Sequence, residues 1–232
     1  MGDIGGRAWQ RMLSGRRLDI LEPSPFDIEI EDIALGLSRV ARWNGQTTGE
    51  HAYSVAQHSI LVTELVAAAM PSAPSSCLLA ALLHDAPEYV TSDLVTPFKR
   101  VVGDAYKEIE TRVERAIHLA FNLPPVLPDA WRSPIQRADR FAAFIEAMAL
   151  AGFSEAEAKT VFGVRRNIPA IALKPLESAT AREAFLAVFA DLAAGGRRCL
   201  ARWGAADQAA QMTAECGAGA TACHPPAAIS GA

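Results

Sequence analysis

An apolar run, Cys77-Leu-Leu-Ala-Ala-Leu-Leu, ends abruptly in His84-Asp85. Seven consecutive residues that suit a buried helix leave no solvated face to which an imidazole and a carboxylate could belong. Placing both groups against an Ala/Leu core is costly unless something pairs with them. A divalent metal ion answers to both. The chain must therefore fold so that other ligands reach this helix end.

The wider sequence fits one buried helical domain. Its 232 residues suffice for a single well-packed core, and half are hydrophobic. No apolar run approaches the ~18 residues of a membrane span. The first residues lack the apolar stretch of a signal peptide, so the expected home is the cytoplasm, with no membrane partner. The formal charge of −4 argues against a protein that coats duplex nucleic acid, but not against a small phosphate ligand. Cys77, Cys199, Cys216 and Cys223 fit no disulfide or zinc spacing.

Helical patterns dominate the chain. The spacing predicts a short helix over Gly6–Leu13, then a turn with an extended piece over Leu18–Ile30, around Pro23 and Pro25. An amphipathic helix over Glu31–Ala41 buries Ile33, Leu37 and Val40, and Asn44-Gly45 and Gly49 mark a loop. Further helices are expected over His51–Met70 and Ser76–Tyr89, with a change of direction near Pro87. After a loop at Thr91–Pro97 come helices over Asp104–Phe121 and from Pro128 to Leu150. A short acidic helix follows Gly152, Val161–Leu173 stays unassigned, and a last helix covers Glu177–Ala194. The expected divisions are an N-terminal extension (1–30), an all-α domain (31–195) and a tail (196–232), with no folded structure beyond about Gly204.

Four residues make a plausible ligand set for one ion: His58, His84, Asp85 and Asp139. Only the adjacent pair shares a predicted helix, so the ion would sit between packed helices. Mixed imidazole and carboxylate donors suit Mn²⁺, Co²⁺, Fe²⁺ or Zn²⁺ better than Ca²⁺. Such an ion keeps open positions where water ionises near neutral pH. Taken singly, His58 reads as an ordinary helix histidine and Asp139 as half of a surface ion pair. The argument rests on their joint appearance.

Five ordered blocks carry a resemblance. Arg42-Trp43, Ser54-Val-Ala-Gln-His58-Ser, His84-Asp85-Ala-Pro-Glu88, Thr91-Ser-Asp93-Leu-Val-Thr-Pro97-Phe-Lys99 and Ala138-Asp139 resemble the HD-domain phosphohydrolases, most of all the bacterial 5′-deoxynucleotidase branch. Some phage deoxynucleotide triphosphohydrolases are related to that branch. The match runs over roughly residues 31–150. It departs from the pattern at Gln57, where the family usually has Glu.

The resemblance implies an all-α HD-domain bundle with a single metal site, and one divalent ion (Mn, Co, Fe, Zn or Mg) held by His58, His84, Asp85 and Asp139. It also implies proton transfer by Glu88, a second catalytic acid in Asp93, and Arg42-Trp43 contacting phosphate and sugar. Relatives are often homodimers.

The chemistry of these residues is compatible with that assignment. Glu88 would fall one turn after His84 on a continued helix, although a capping carboxylate reads equally well. Asp93 also suits a turn. Arg42 can grip phosphate with two nitrogens, Trp43 offers a flat wall or a core ring, and Lys99 is a phosphate contact or a solvated lysine. His51 would share the face of His58, seven residues on.

The expected activity is release of orthophosphate from deoxyribonucleoside 5′-monophosphates. The alternatives are a deoxynucleoside triphosphate triphosphohydrolase, a cyclic-nucleotide or alarmone hydrolase, and a non-catalytic nucleotide sensor.

Overall fold

A computed structural model of the chain describes residues 8–164 and 172–197. The expected unfolded tail and part of Val161–Leu173 lie outside the described residues. The helices are α1 (Ile30–Arg39), α2 (Val55–Ala69), α3 (Ser75–Leu82), α4 (Glu88–Thr91), α5 (Thr96–Val102), α6 (Asp104–Ala120), α7 (Asp129–Ala149), α8 (Glu155–Phe162) and α9 (Ser178–Ala193). The fold is all-α, with one small hairpin among the described residues, and no described helix is long and apolar enough to cross a membrane.

The expected first helix is not formed. Strands β1 (Trp9–Arg11) and β2 (Arg17–Asp19) pair antiparallel, with Gln10 opposite Leu18. The turn between them needs Gly15, at φ 94°, a conformation that glycine adopts without steric cost. Asp32 of α1 secures this turn by accepting from the Ser14 hydroxyl at 2.5 Å and from its backbone N–H at 3.1 Å. Met12, Leu18 and Ile28 are buried in the same core as α1.

Helix α2 is the centre of the packing. It lies against α7, α3, α9 and α1, and residues on every side of it, from Val55 to Val66, are buried, as an all-round apolar helix requires. It starts at Val55 rather than His51, because the Ser54 hydroxyl accepts from the N–H of Gln57 and closes the first turn. His51 is left exposed ahead of the helix, not on the face of His58.

Helix α3 stops at Leu82, and the backbone then runs through turns to α4. Pro87 accounts for the early stop. Its ring would strike the carbonyl four residues back in a continued helix, which is that of Leu83. His84 and Asp85 therefore project from a turn, and Glu88 opens a new helix. Helix α1 crosses α4 so closely that a Cβ on Gly36 would lie 2.7 Å from Cβ of Tyr89. Glycine at that point fixes how deeply the Glu88-bearing turn can seat.

Glu64, on α2, is 2% exposed, and its Oε1 has no hydrogen-bond partner. Burial raises its pKa from an ordinary 4.5 to about 8. The folded state thus holds a proton that the unfolded chain releases near pH 4.5. This contribution to stability is complete below that pH and is lost as pH rises towards 8. Glu64→Gln should therefore lose less melting temperature than the native chain between about pH 5 and 8. Parallel melting curves across that range would contradict the assignment.

Candidate metal centre and active site

Three elements bring four donors to one point. His58 comes from α2, His84 and Asp85 from the turn after α3, and Asp139 from α7. Their ligand-type atoms all lie within 4.8 Å of one another, and among the described residues they are the group of His, Cys, Asp and Glu able to hold an ion. The closest approaches are 3.2 Å from His58 Nε2 to Asp139 and 3.4 Å to Asp85. His84 Nε2 lies 3.2 Å from Asp85 and 4.0 Å from Asp139. Donors at ~2.1 Å from one ion stand ~3.0–4.2 Å apart, so the set matches a single cation.

The hydrogen bonds of the two rings point the same way. His58 Nδ1 faces Glu146 Oε1 at 2.5 Å, and His84 Nδ1 faces the carbonyl of Ala81 at 2.8 Å. Both partners can only accept, so each neutral ring carries its proton on Nδ1 and a lone pair on Nε2. Both Nε2 atoms are buried without a hydrogen-bond partner. A lone pair facing a carboxylate oxygen is repulsive unless a proton or a cation lies between them. With protons alone to fill that place, the ring pKa values move up. Burial, and for His58 the nearby Arg42, oppose the charge, yet Glu146, Asp85 and Asp139 prevail. A metal ion would remove the need for those protons. The residues present fit the group.

Acids and bases surround this centre. Glu88 is 3% exposed; burial, then the charges of Asp85 and Asp93, raise its pKa well above the ordinary value, against the opposing pull of Lys99 and Arg42. Its surroundings thus favour the protonated form more than water does. Lys99 lies 3.3 Å from Glu88 Oε1 and 3.3 Å from Glu110, while Glu88 Oε2 is unpartnered. Arg42 donates through Nη1 to Asp93 at 2.8 Å and through Nε to Glu146 at 3.2 Å. That pair joins two backbone segments in unfavourable conformations: Trp43 at φ 58° and Ser92 at φ 66°. Each costs of the order of 1–3 kcal/mol and persists only where surroundings enforce it. The Trp43 ring packs on Phe153 and Phe162, its centroid 5.7 and 6.3 Å from theirs, and its Nε1 donates to Glu146 at 3.0 Å.

Glu146 escaped the sequence reading. It stands seven residues after Asp139 on α7, two helical turns along the same face, which was a usable signal. Within Phe144-Ile-Glu-Ala-Met it reads instead as the polar edge of an apolar stripe. Glu110, which holds Lys99, was also not foreseen.

Fold and centre together define an all-α protein with a possible His/Asp metal site between helices. The chain belongs to the 5′-deoxynucleotidase YfbR-like family, whose model matches residues 35–190, a span that includes every site residue above. An uncharacterized protein of Rhodobacter capsulatus is 60% identical over 157 residues, which cover 68% of this chain and 80% of that one. The uncharacterized protein YfdR of Escherichia coli is 35% identical over 129 residues. That match covers 56% of this chain and 65% of YfdR.

Because Asp85 faces both rings, Asp85→Ala should abolish stoichiometric Mn²⁺ binding in a chain that still folds. Calorimetric titration with Mn²⁺ checks this, and undiminished binding would remove Asp85 from the ligand set.

Proposed function

We propose that the chain is a divalent-metal-dependent nucleotide phosphohydrolase that releases orthophosphate from deoxyribonucleoside 5′-monophosphates. The observation that carries this reading is the pair of buried, unpartnered Nε2 atoms of His58 and His84 converging on Asp85 and Asp139. Those four residues would hold the ion, which supplies positive charge to polarise a phosphoryl oxygen and to ease ionisation of water.

The rest of the work falls to the chain. Arg42, clamped by Asp93 and Glu146, has Nη2 left for a phosphoryl oxygen, because the two carboxylates take its other nitrogens. Its charge stabilises the negative charge that grows there as water adds to phosphorus. When the phosphorus–O5′ bond breaks, the leaving oxygen needs a proton. Glu88, whose pKa burial and then neighbouring acids raise, is the group to supply it, and giving up that proton produces the free 5′-hydroxyl. Lys99, at 3.3 Å, then balances the new carboxylate. Asp93 keeps Arg42 in place and accepts protons from incoming water. Trp43 stands next to Arg42 and serves as the wall near the pentose that favours hydrogen over hydroxyl at C2′.

A cleft of about 460 Å³ opens on His84, Asp85 and Asp139, between α6 and α7. It is large enough for a nucleoside. Arg115 and Arg132 line the same cleft, which favours one second reading, cleavage of deoxynucleoside triphosphates to release triphosphate. In the proposed setting the enzyme is cytoplasmic, acts on a free nucleotide and works as a homodimer.

A panel of deoxy- and ribonucleoside mono- and triphosphates, assayed with Mn²⁺, Co²⁺ and Mg²⁺, separates these readings. Orthophosphate from deoxynucleoside monophosphates is expected. Triphosphate release from the triphosphates would establish the second reading, and no turnover with any of them would overturn both. In the same assay Glu88→Gln should keep the metal yet lose ~10²–10⁴-fold in kcat, the usual worth of acid–base catalysis. Loss of the metal itself would make Glu88 a ligand.

A further inference from the structure

We infer that Glu146 is the positioning residue of this site: one carboxylate that fixes which nitrogen of His58 faces the metal and, through its other oxygen, where Arg42 and Trp43 stand. The inference rests on the reading of the centre as a metal site.

The geometry divides the carboxylate cleanly. Oε1 lies 2.5 Å from His58 Nδ1, while Oε2 accepts from Arg42 Nε at 3.2 Å and from Trp43 Nε1 at 3.0 Å. Both Glu146 and His58 are fully buried, at 0% exposure, so water cannot substitute for either contact. An ionised carboxylate has only acceptors to offer. It demands a proton on Nδ1, and the tautomer that meets this demand is the one with a lone pair on Nε2, where Asp85 and Asp139 converge. A hydrogen bond of this kind orients a metal-bound imidazole and strengthens it as a donor.

The other oxygen orders the opposite side. Trp43 is held at φ 58° and Asn44 at φ 51°, a left-handed bend that a bulky residue rarely adopts. The indole N–H bond to Glu146 and the packing on Phe153 and Phe162 keep it there. Arg42, next in the chain, is pinned by the same oxygen. Any displacement of Glu146 therefore moves the metal ligand and the phosphate contact together.

Glutamine at this position makes a sharp test. It keeps shape and size but exchanges one acceptor for a donor. Its single oxygen is held by two donors, Arg42 and Trp43, one of them charged, so its amide N–H turns towards His58. The ring must then accept at Nδ1 and move its proton to Nε2, where the ion needs a lone pair. Glu146→Gln should thus weaken Mn²⁺ binding by ~10–100-fold while inorganic phosphate, measured as a competitive inhibitor, still binds. A structural role alone would lower the melting temperature and leave Mn²⁺ affinity of the folded protein unchanged.

The experiment is Mn²⁺ titration of the full chain, its Glu146→Gln variant and its Asp85→Ala variant, after circular dichroism has confirmed folding. Wild-type affinity in Glu146→Gln, with loss in Asp85→Ala, would overturn the role of Glu146 and leave the metal site intact. Wild-type affinity in Asp85→Ala would instead overturn the reading on which the inference rests. Should Glu146→Gln not fold, nitrogen-15 spectra of the zinc-loaded native chain decide the matter. His58 protonated on Nδ1 supports the inference, and His58 protonated on Nε2 overturns it.

Discussion

Everything about this molecule follows from an imbalance of charge at the junction of its helices. Asp85, Asp93, Asp139, Glu88 and Glu146 meet there, against the cations of Arg42 and Lys99. Uncompensated carboxylates are expensive in a core, and no hydrophobic packing repays such a cluster. Three features answer this. Arg42 is shared between two acids, the pKa of Glu88 is raised by burial and by its acidic neighbours, and His58 and His84 bring Nε2 atoms to the remaining pair of carboxylates, where a proton or a cation can lie between them. A divalent cation would complete the balance, and His58, buried among these groups, is one of the four residues that could hold it.

The scaffold serves this junction through its chain breaks more than through its helices. Pro87 stops α3 early, so that His84 and Asp85 project from a turn towards His58 and Asp139. Gly36 lets α1 approach Tyr89, which seats the turn that carries Glu88. The left-handed bend at Trp43 and the strained Ser92 deliver Arg42 and Asp93 to each other. Helices α2 and α7, by contrast, are continuous rods from which His58, Asp139 and Glu146 project.

Much of this was written in the order of residues. The amphipathic spacing of α1 and α6, the Pro128 start of α7 and the span of α9 follow from periodicity and capping alone. The four donors fall together as their joint appearance suggested. The hairpin at Trp9–Asp19 was missed because its register depends on Asp32, far along the chain, holding the turn. The change of direction expected near Pro87 falls earlier, after Leu82, because the clash of the Pro87 ring acts four residues upstream. Glu146 was hidden for a different reason. A buried acid on an apolar helix looks like a boundary residue until its three partners, drawn from residues 42, 43 and 58, are folded onto it.

The most direct test of the account is a crystal structure of the chain grown with Mn²⁺, with the ion located by its anomalous scattering. The account predicts one peak, about 2.1 Å from His58 Nε2, His84 Nε2, Asp85 and Asp139, with Glu88 and Glu146 outside bonding distance. A peak elsewhere, or one bound through Glu88 or Glu146, would contradict it.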